Sequence, residues 1–60
     1  MKKAICLRDV PQGESFFYAE YPSGGEYVKG GRVPNGNDTF YVHSPCFIYI
    51  GRGDSMVVKI

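Results

Sequence analysis

Residues 46–60 decide the fold class, because they read CFIYIGRGDSMVVKI, two apolar runs on either side of a glycine-containing stretch. Each run is short and rich in β-branched and aromatic residues, which are typical of strands. The residues between the runs, 51–55, include Gly51 and Gly53, and we expect them to form the turn of a hairpin. The C-terminal part of the chain therefore predicts two antiparallel strands, over 46–51 and 56–60.

The remainder of the chain shows the same pattern of short strands separated by turns. Eight glycines and four prolines interrupt the sequence, and no segment has the composition of a helix. Further strands are predicted at 3–7, 14–21, 26–30 and 39–43, with turns at 22–25 and 34–38 and a bulge at Gly30-Gly31. Because barrel closure removes exposed strand edges, we expect an all-β antiparallel small barrel of five or six strands.

Period-two alternation assigns the side chains to two faces. In residues 46–60 the aliphatic set Cys46, Ile48 and Ile50, and the set Met56, Val58 and Ile60, are predicted to face the core. The complete predicted core is Ile5, Leu7, Val10, Phe16, Val28, Phe40, Val42, Ile48, Ile50, Val58 and Ile60. The predicted outer surface is aromatic: Phe17, Tyr18, Tyr27, Tyr41, Phe47 and Tyr49.

Length and charge limit the classes of function. Sixty residues make one domain, 1–60, and a net charge of +1 with 22% charged residues is not the strongly basic signature of a protein that binds the nucleic-acid backbone. Met1-Lys2-Lys3 is followed by an apolar stretch, 4–7, that is too short for a signal peptide, and no apolar run approaches a membrane span. We therefore expect a soluble, cytoplasmic protein that contacts no membrane.

Few residues in the sequence could bind a metal ion or take part in catalysis. Cys6 and Cys46 are the only cysteines, and we interpret them as buried reduced thiols, with a single disulfide as the alternative. With one histidine in the chain they cannot complete a zinc site without distant carboxylates. His43 and Cys46 are separated by Ser44-Pro45 and have no third group to orient them. The sequence thus predicts no metal, no cofactor, no catalytic residue and no enzyme.

One segment carries a family resemblance. Residues 7–16 read LRDVPQGESF, and 27–30 read YVKG. These segments resemble the opening of small phage and prophage accessory proteins, in which a Gly-x-x-Phe begins a strand. The resemblance implies an SH3-like β-barrel fold. Because proteins of that group share no activity, it assigns no functional residue.

The surplus of aromatic residues on the predicted solvent face is the main functional signal. Tyrosine contributes contact area and a hydrogen bond at low entropic cost, so such a face favours binding of another protein. The predicted partner-binding residues are Tyr18, Tyr27, Tyr41 and Tyr49 as anchors, with Lys29, Arg32 and Arg52 setting orientation. We expect a non-catalytic binding module, phage-encoded, that modulates or inhibits a bacterial host protein. Two alternatives remain: stacking of single-stranded nucleic acid on the rings, and self-association into a homo-oligomer.

Overall fold

The computed structural model describes residues 3–60, which form one antiparallel sheet of six strands. The strands are β1 (Ala4–Cys6), β2 (Ser15–Tyr18), β3 (Tyr27–Arg32), β4 (Thr39–His43), β5 (Ile48–Arg52) and β6 (Met56–Lys59). Their order across the sheet is β1-β6-β2-β3-β4-β5. The helical structure in this region consists of two single 3₁₀ turns, Leu7–Asp9 and Pro22–Gly24. The all-β prediction is confirmed; Met1 and Lys2 of the segment considered as a signal peptide lie outside the described residues.

The strand boundaries follow the glycine and proline positions closely. The bounds of β4 are those predicted, and the register of β3 against β4 shifts between Lys29 and Arg32, where the Gly30-Gly31 bulge was expected. Gly25 adopts a φ of 102°, which suits its place in the loop between β2 and β3. These features confirm the turn chemistry of the central part of the chain.

The predicted hairpin of the last two strands is wrong. β5 pairs with β4, whereas β6 pairs with β1 and β2. The reason lies at Gly53, whose N–H and carbonyl both form hydrogen bonds with other segments. Its N–H donates to the carbonyl of Asp38 at 2.7 Å, and its carbonyl accepts from the N–H of Arg8 at 3.0 Å. The chain between β5 and β6 is therefore a crossing from one edge of the sheet to another part of it.

The barrel is not closed. β1 and β5 are the two edge strands of the sheet and do not pair with each other. The 3₁₀ turn Leu7–Asp9 joins the two sides at one end, where the N–H of Leu7 donates to the carbonyl of Ser55 at 2.8 Å and Arg8 bonds Gly53. On one side of this opening lies β5, and on the other lie the end of β2 and the start of β6; we call the opening the seam.

The core of the described residues is small. Leu7, Val10, Phe16, Val42 and Val57 are buried, and Ile5 and Phe40 pack against them. Four of these five buried residues belong to the predicted core, and Val57 does not. Val28 and Val58 are only half-buried. Ile48, Ile50 and Ile60 are exposed, so their predicted burial is wrong.

These errors share one cause. In β3, β5 and β6 the residues predicted to face the core face outward, and the residues next to them in the strand face inward. Directly paired residues place their side chains on the same face of a sheet. Lys29 and Tyr49 are both in register with buried Val42, so they face inward, and Val28, Ile48 and Ile50 face outward. In β6 the inward residue is Val57, which is paired with Ile5 and Tyr18. A phase change of one residue moves every side chain of a strand to the other face.

The two cysteines are not joined. Cys6 is half-buried in β1, and Cys46 is exposed, so the predicted burial of Cys46 is wrong. Cys46 lies in the turn between β4 and β5, where the hydroxyl of Ser44 bonds both the carbonyl and the N–H of Phe47. None of the helical segments in residues 3–60 is long and apolar enough to cross a membrane.

Candidate functional site: an aromatic groove at the seam

The seam forms an open groove with a volume of about 510 Å³. β5 supplies one wall, and the start of β6 and the loop after β2 supply the other. The lining residues are Tyr18, Glu20, Tyr21, Tyr27, Tyr49, Ile50, Ser55 and Met56. We call this site the aromatic groove.

The floor of the aromatic groove consists of rings attached to the core. Tyr18 and Tyr27 meet edge to face, with ring centroids 5.2 Å apart, and each also contacts the ring of buried Phe16. Edge-to-face and stacked ring pairs are the favoured arrangements of aromatic side chains. Both tyrosines are half-buried. They were predicted on the outer surface, but they face inward and form a rigid floor.

The hydroxyl groups give this apolar floor its polar contacts. The hydroxyl of Tyr27 donates to the carbonyl of Gly24 at 3.4 Å. Burial raises the pKa of Tyr18 above its ordinary value, and the neighbouring Tyr27 adds to the rise. The Tyr18 hydroxyl therefore stays protonated at neutral pH and is available as a hydrogen-bond donor.

The rim of the groove is apolar and solvent-exposed. Tyr49 contacts Tyr27 at a centroid distance of 6.4 Å and Phe47 at 6.0 Å. Tyr49 is 49% exposed and Tyr21 is 70% exposed. Ile50 and Met56 complete the rim and are also exposed. A rigid aromatic floor below an exposed apolar rim has the features of a binding site for an apolar ligand.

Charge is nearly absent from the groove. Among its lining residues Glu20 is the only one with a charged side chain. No lysine or arginine belongs to the lining that the structure describes. The groove thus offers apolar contact and hydroxyl groups, and it does not offer a cationic surface.

Lys29, which was predicted to orient a partner, is buried and bonds the protein's own backbone. It is 6% exposed. Its ammonium donates to the carbonyls of Val10, at 2.6 Å, and Arg8, at 3.2 Å, and lies 4.1 Å from the centre of the Phe40 ring. Burial lowers its pKa, against the opposing effect of Asp9 and Asp38. Because the side chain is long, an inward-facing lysine reaches polar atoms at the end of the core.

The two predicted arginines lie near Asp38 and outside the groove lining. Arg32 and Arg52 are exposed, and Arg52 pairs with Asp54 at 3.3 Å. Asp38 accepts a 2.8 Å hydrogen bond from Arg8, which is the main cause of its lowered pKa; Arg32 and Arg52 contribute to the lowering by their charge. Arg8, Arg32 and Arg52 thus form a cluster around Asp38 that is separate from the aromatic groove.

Tyr41 lies on the outward face, paired with Ile50, and does not line the aromatic groove. The structure therefore brings together three of the seven predicted site residues, namely Tyr18, Tyr27 and Tyr49. A smaller depression of about 350 Å³ contains His43 with Glu26, Val28, Ser44 and Pro45. Within residues 3–60 no three His, Cys, Asp or Glu side chains are grouped so as to hold a metal ion.

Sequence reasoning missed Tyr21, Ile50 and Met56 as groove residues. Ile50 and Met56 were assigned to the core because they belong to aliphatic alternating sets. Tyr21, which precedes Pro22, was assigned to neither face. The pairing that places the three together is long-range, and local alternation does not encode it.

The chain was compared with other proteins in sequence and in structure. No protein-family model, curated protein or solved structure matches it.

Proposed function

We propose that this protein is a non-catalytic binding module whose aromatic groove receives an apolar segment of a partner protein. The observation that supports the proposal is the aromatic groove itself, with half-buried tyrosines as its floor and exposed Tyr21, Tyr49, Ile50 and Met56 as its rim. Aromatic and methionine side chains are enriched at protein interfaces, whereas charged residues are depleted at interface centres. The groove has this composition.

The resemblance of residues 7–16 and 27–30 to small phage proteins extends the proposal. From this resemblance we propose that the fold is SH3-like and that the protein is encoded by a phage. Its partner would then be a bacterial host protein, and its place of action the host cytoplasm. The effect on the host protein would be to cover or redirect a functional surface. The groove supports this mode of action, since it accommodates a protruding side chain or a short segment.

Binding of single-stranded nucleic acid is the second candidate, and it has less support. Base stacking on aromatic side chains is accompanied by a cationic path for the phosphates. The groove lining contains Glu20 and no cation, and Lys29 is buried beneath Phe40. The exposed arginines surround Asp38, which offsets part of their charge.

The test is affinity capture from a bacterial lysate with the tagged full-length chain and a groove variant, Tyr21→Ala/Met56→Ala. Both side chains are exposed, so the variant keeps the core. We expect the unaltered chain to retain one stoichiometric protein and the variant to lose it. Circular dichroism checks that both are folded.

The matched control is Ile60→Ala, which removes an exposed apolar side chain outside the groove lining. It should retain the partner. A partner that the groove variant keeps, or that Ile60→Ala loses, would contradict the groove as the binding site. Retention of nucleic acid with no protein, lost on raising the salt concentration, would favour the second candidate.

A further inference from the structure

The free edge of β5 has an unusual composition for an exposed strand. Residues 45–51 read PCFIYIG and carry no charge. Ile48 and Ile50 are 64% and 63% exposed. Edge strands of monomeric proteins are normally short, charged, interrupted by proline or bulged, because a free edge pairs with other chains. None of these devices occurs within β5 before its last residue, Arg52.

The other edge strand contrasts with β5. β1 has three residues, follows exposed Lys3 and runs directly into the 3₁₀ turn Leu7–Asp9. A short strand next to a lysine is a protected edge. The two edges of the same sheet thus differ in their protection, and the unprotected one is β5.

The hydrogen-bonding pattern shows which backbone groups of β5 are free. Ser44 bonds Phe47, and Gly53 bonds Asp38, so both pairs belong to the hydrogen-bonded type of the β4–β5 ladder. Since the two types alternate, Tyr49 and Gly51 bond β4, while the N–H and C=O groups of Ile48 and Ile50 point away from β4. These four groups form the open edge.

We propose that a second copy of this chain pairs with that edge, β5 antiparallel to β5, in a symmetric dimer. A two-fold axis beside Tyr49 places Ile48 opposite Ile50 of the other copy and Phe47 opposite Gly51. Every pair over 47–51 is then uncharged, and the outward backbone groups of Ile48 and Ile50 meet one another. Shifting the axis to Ile50 places Arg52 opposite Ile48. Shifting it to Ile48 places Cys46 and Pro45, which precede β5, opposite Ile50 and Gly51, so the register centred on Tyr49 is favoured.

The area available fits a reversible dimer. Phe47 and Tyr49 are 63% and 49% exposed, and one aromatic side chain offers about 150–250 Å². With the two isoleucines exposed to a similar degree, each copy presents roughly 400 Å² of apolar surface along β5. Two copies together cover roughly 800 Å², below the ~1,200–2,000 Å² of stable interfaces, as expected for a dimer that dissociates on dilution.

The first experiment measures molar mass and amide hydrogen exchange of the full-length chain over a range of concentrations. We expect the mass to rise from the monomer's 6.7 kDa toward twice that value. The Ile48 and Ile50 amides should gain protection as the mass rises, whereas the Tyr49 and Gly51 amides are protected at every concentration. A monomer throughout, unprotected Ile48 and Ile50 amides in a dimer, or growth beyond two copies would overturn the proposal.

The matched variants are Ile48→Lys and Ile60→Lys, which place the same charge on two exposed isoleucines. Ile48→Lys should raise the dissociation constant at least about tenfold, because each dimer would contain two lysines on an apolar edge. Ile60→Lys should leave it unchanged. Equal effects of the two variants would overturn the β5 interface. β5 is also one wall of the aromatic groove, so a second copy on its edge would compete with a groove ligand. Ile48 itself is not in the groove lining, and Ile48→Lys should therefore retain partner capture while it weakens the dimer.

Discussion

The ammonium of Lys29 donates to the carbonyl oxygen of Val10 at 2.6 Å and thereby ties β3 to the segment that follows the first 3₁₀ turn. The same ammonium reaches the carbonyl of Arg8. Two backbone acceptors near the end of the core are thus satisfied by a side chain from another strand. A buried carbonyl without a partner would be costly, so this lysine supplies hydrogen bonds that the two carbonyls would otherwise lack.

Replacement of Lys29 by methionine should destabilise the protein. The variant keeps most of the side-chain volume but leaves the Arg8 and Val10 carbonyls without their donor, at a cost of about 1–3 kcal/mol in the free energy of unfolding. Urea denaturation measures it. Lys59→Met is the control: Lys59 forms a partly exposed ion pair with Glu14 at 3.0 Å, which is worth at most about 1 kcal/mol. Equal losses would contradict the structural role of Lys29.

Asp38 should make the protein sensitive to acid. The hydrogen bond from Arg8 holds the pKa of this carboxyl below its ordinary value of 3.8. A lowered pKa in the folded state contributes stability above the ordinary value, and the contribution is lost as the pH falls through the folded-state pKa. Asp38→Asn should therefore weaken the decline of the urea midpoint below about pH 4. Asparagine tolerates the φ of 58° at this position.

The control for Asp38 is Asp54→Asn, which removes an exposed carboxylate paired with Arg52. It should retain the acid dependence of the unaltered chain. An Asp38→Asn variant whose midpoint declines as steeply as that of the unaltered chain would show that the Arg8–Asp38 contact contributes nothing to acid sensitivity.

Gly51 should not tolerate a side chain. A Cβ at this position would lie 2.9 Å from Val42 Cγ2, 3.0 Å from Leu7 Cδ2 and 3.1 Å from the Tyr18 hydroxyl. All three neighbours are held by the core or by the groove floor, so Gly51→Ala should cost about 1–3 kcal/mol by overpacking. Gly31→Ala is the control, because its nearest contact would be the Gln12 side chain at 3.9 Å. Thermal unfolding that ranks Gly31→Ala as the more damaging change would contradict this packing.

Adjacent valines in β6 test the phase of that strand. Val57 is fully buried and Val58 is half-buried. Val57→Ala removes two buried methyl groups and should cost about 2 kcal/mol, whereas Val58→Ala should cost less than about 1 kcal/mol. Chemical denaturation of the two variants gives the comparison. If Val58→Ala were the more destabilising change, Val58 would be the inward-facing residue, as alternation alone predicts.

Local sequence features predicted the strands well. The bounds of β4, the Gly30-Gly31 bulge and the burial of Leu7, Val10, Phe16 and Val42 all follow from β-branched and aromatic runs between glycines and prolines. Three of the seven predicted site residues meet in one groove. The site was predicted less well because Tyr18, Tyr27 and Tyr49 were assigned to the outer surface, where an aromatic residue with a hydroxyl normally faces water.

The sequence by itself determined an all-β chain, its approximate strand positions and the turns of its central part, because these depend on backbone preferences of neighbouring residues. Only the tertiary structure decided which face of β3, β5 and β6 is buried and that β5 does not pair with β6. Both depend on contacts distant in sequence, such as Asp38 and Arg8 with Gly53, or Val42 with Tyr49. Since alternation gives a strand two equivalent faces, the partner strand determines which one is buried.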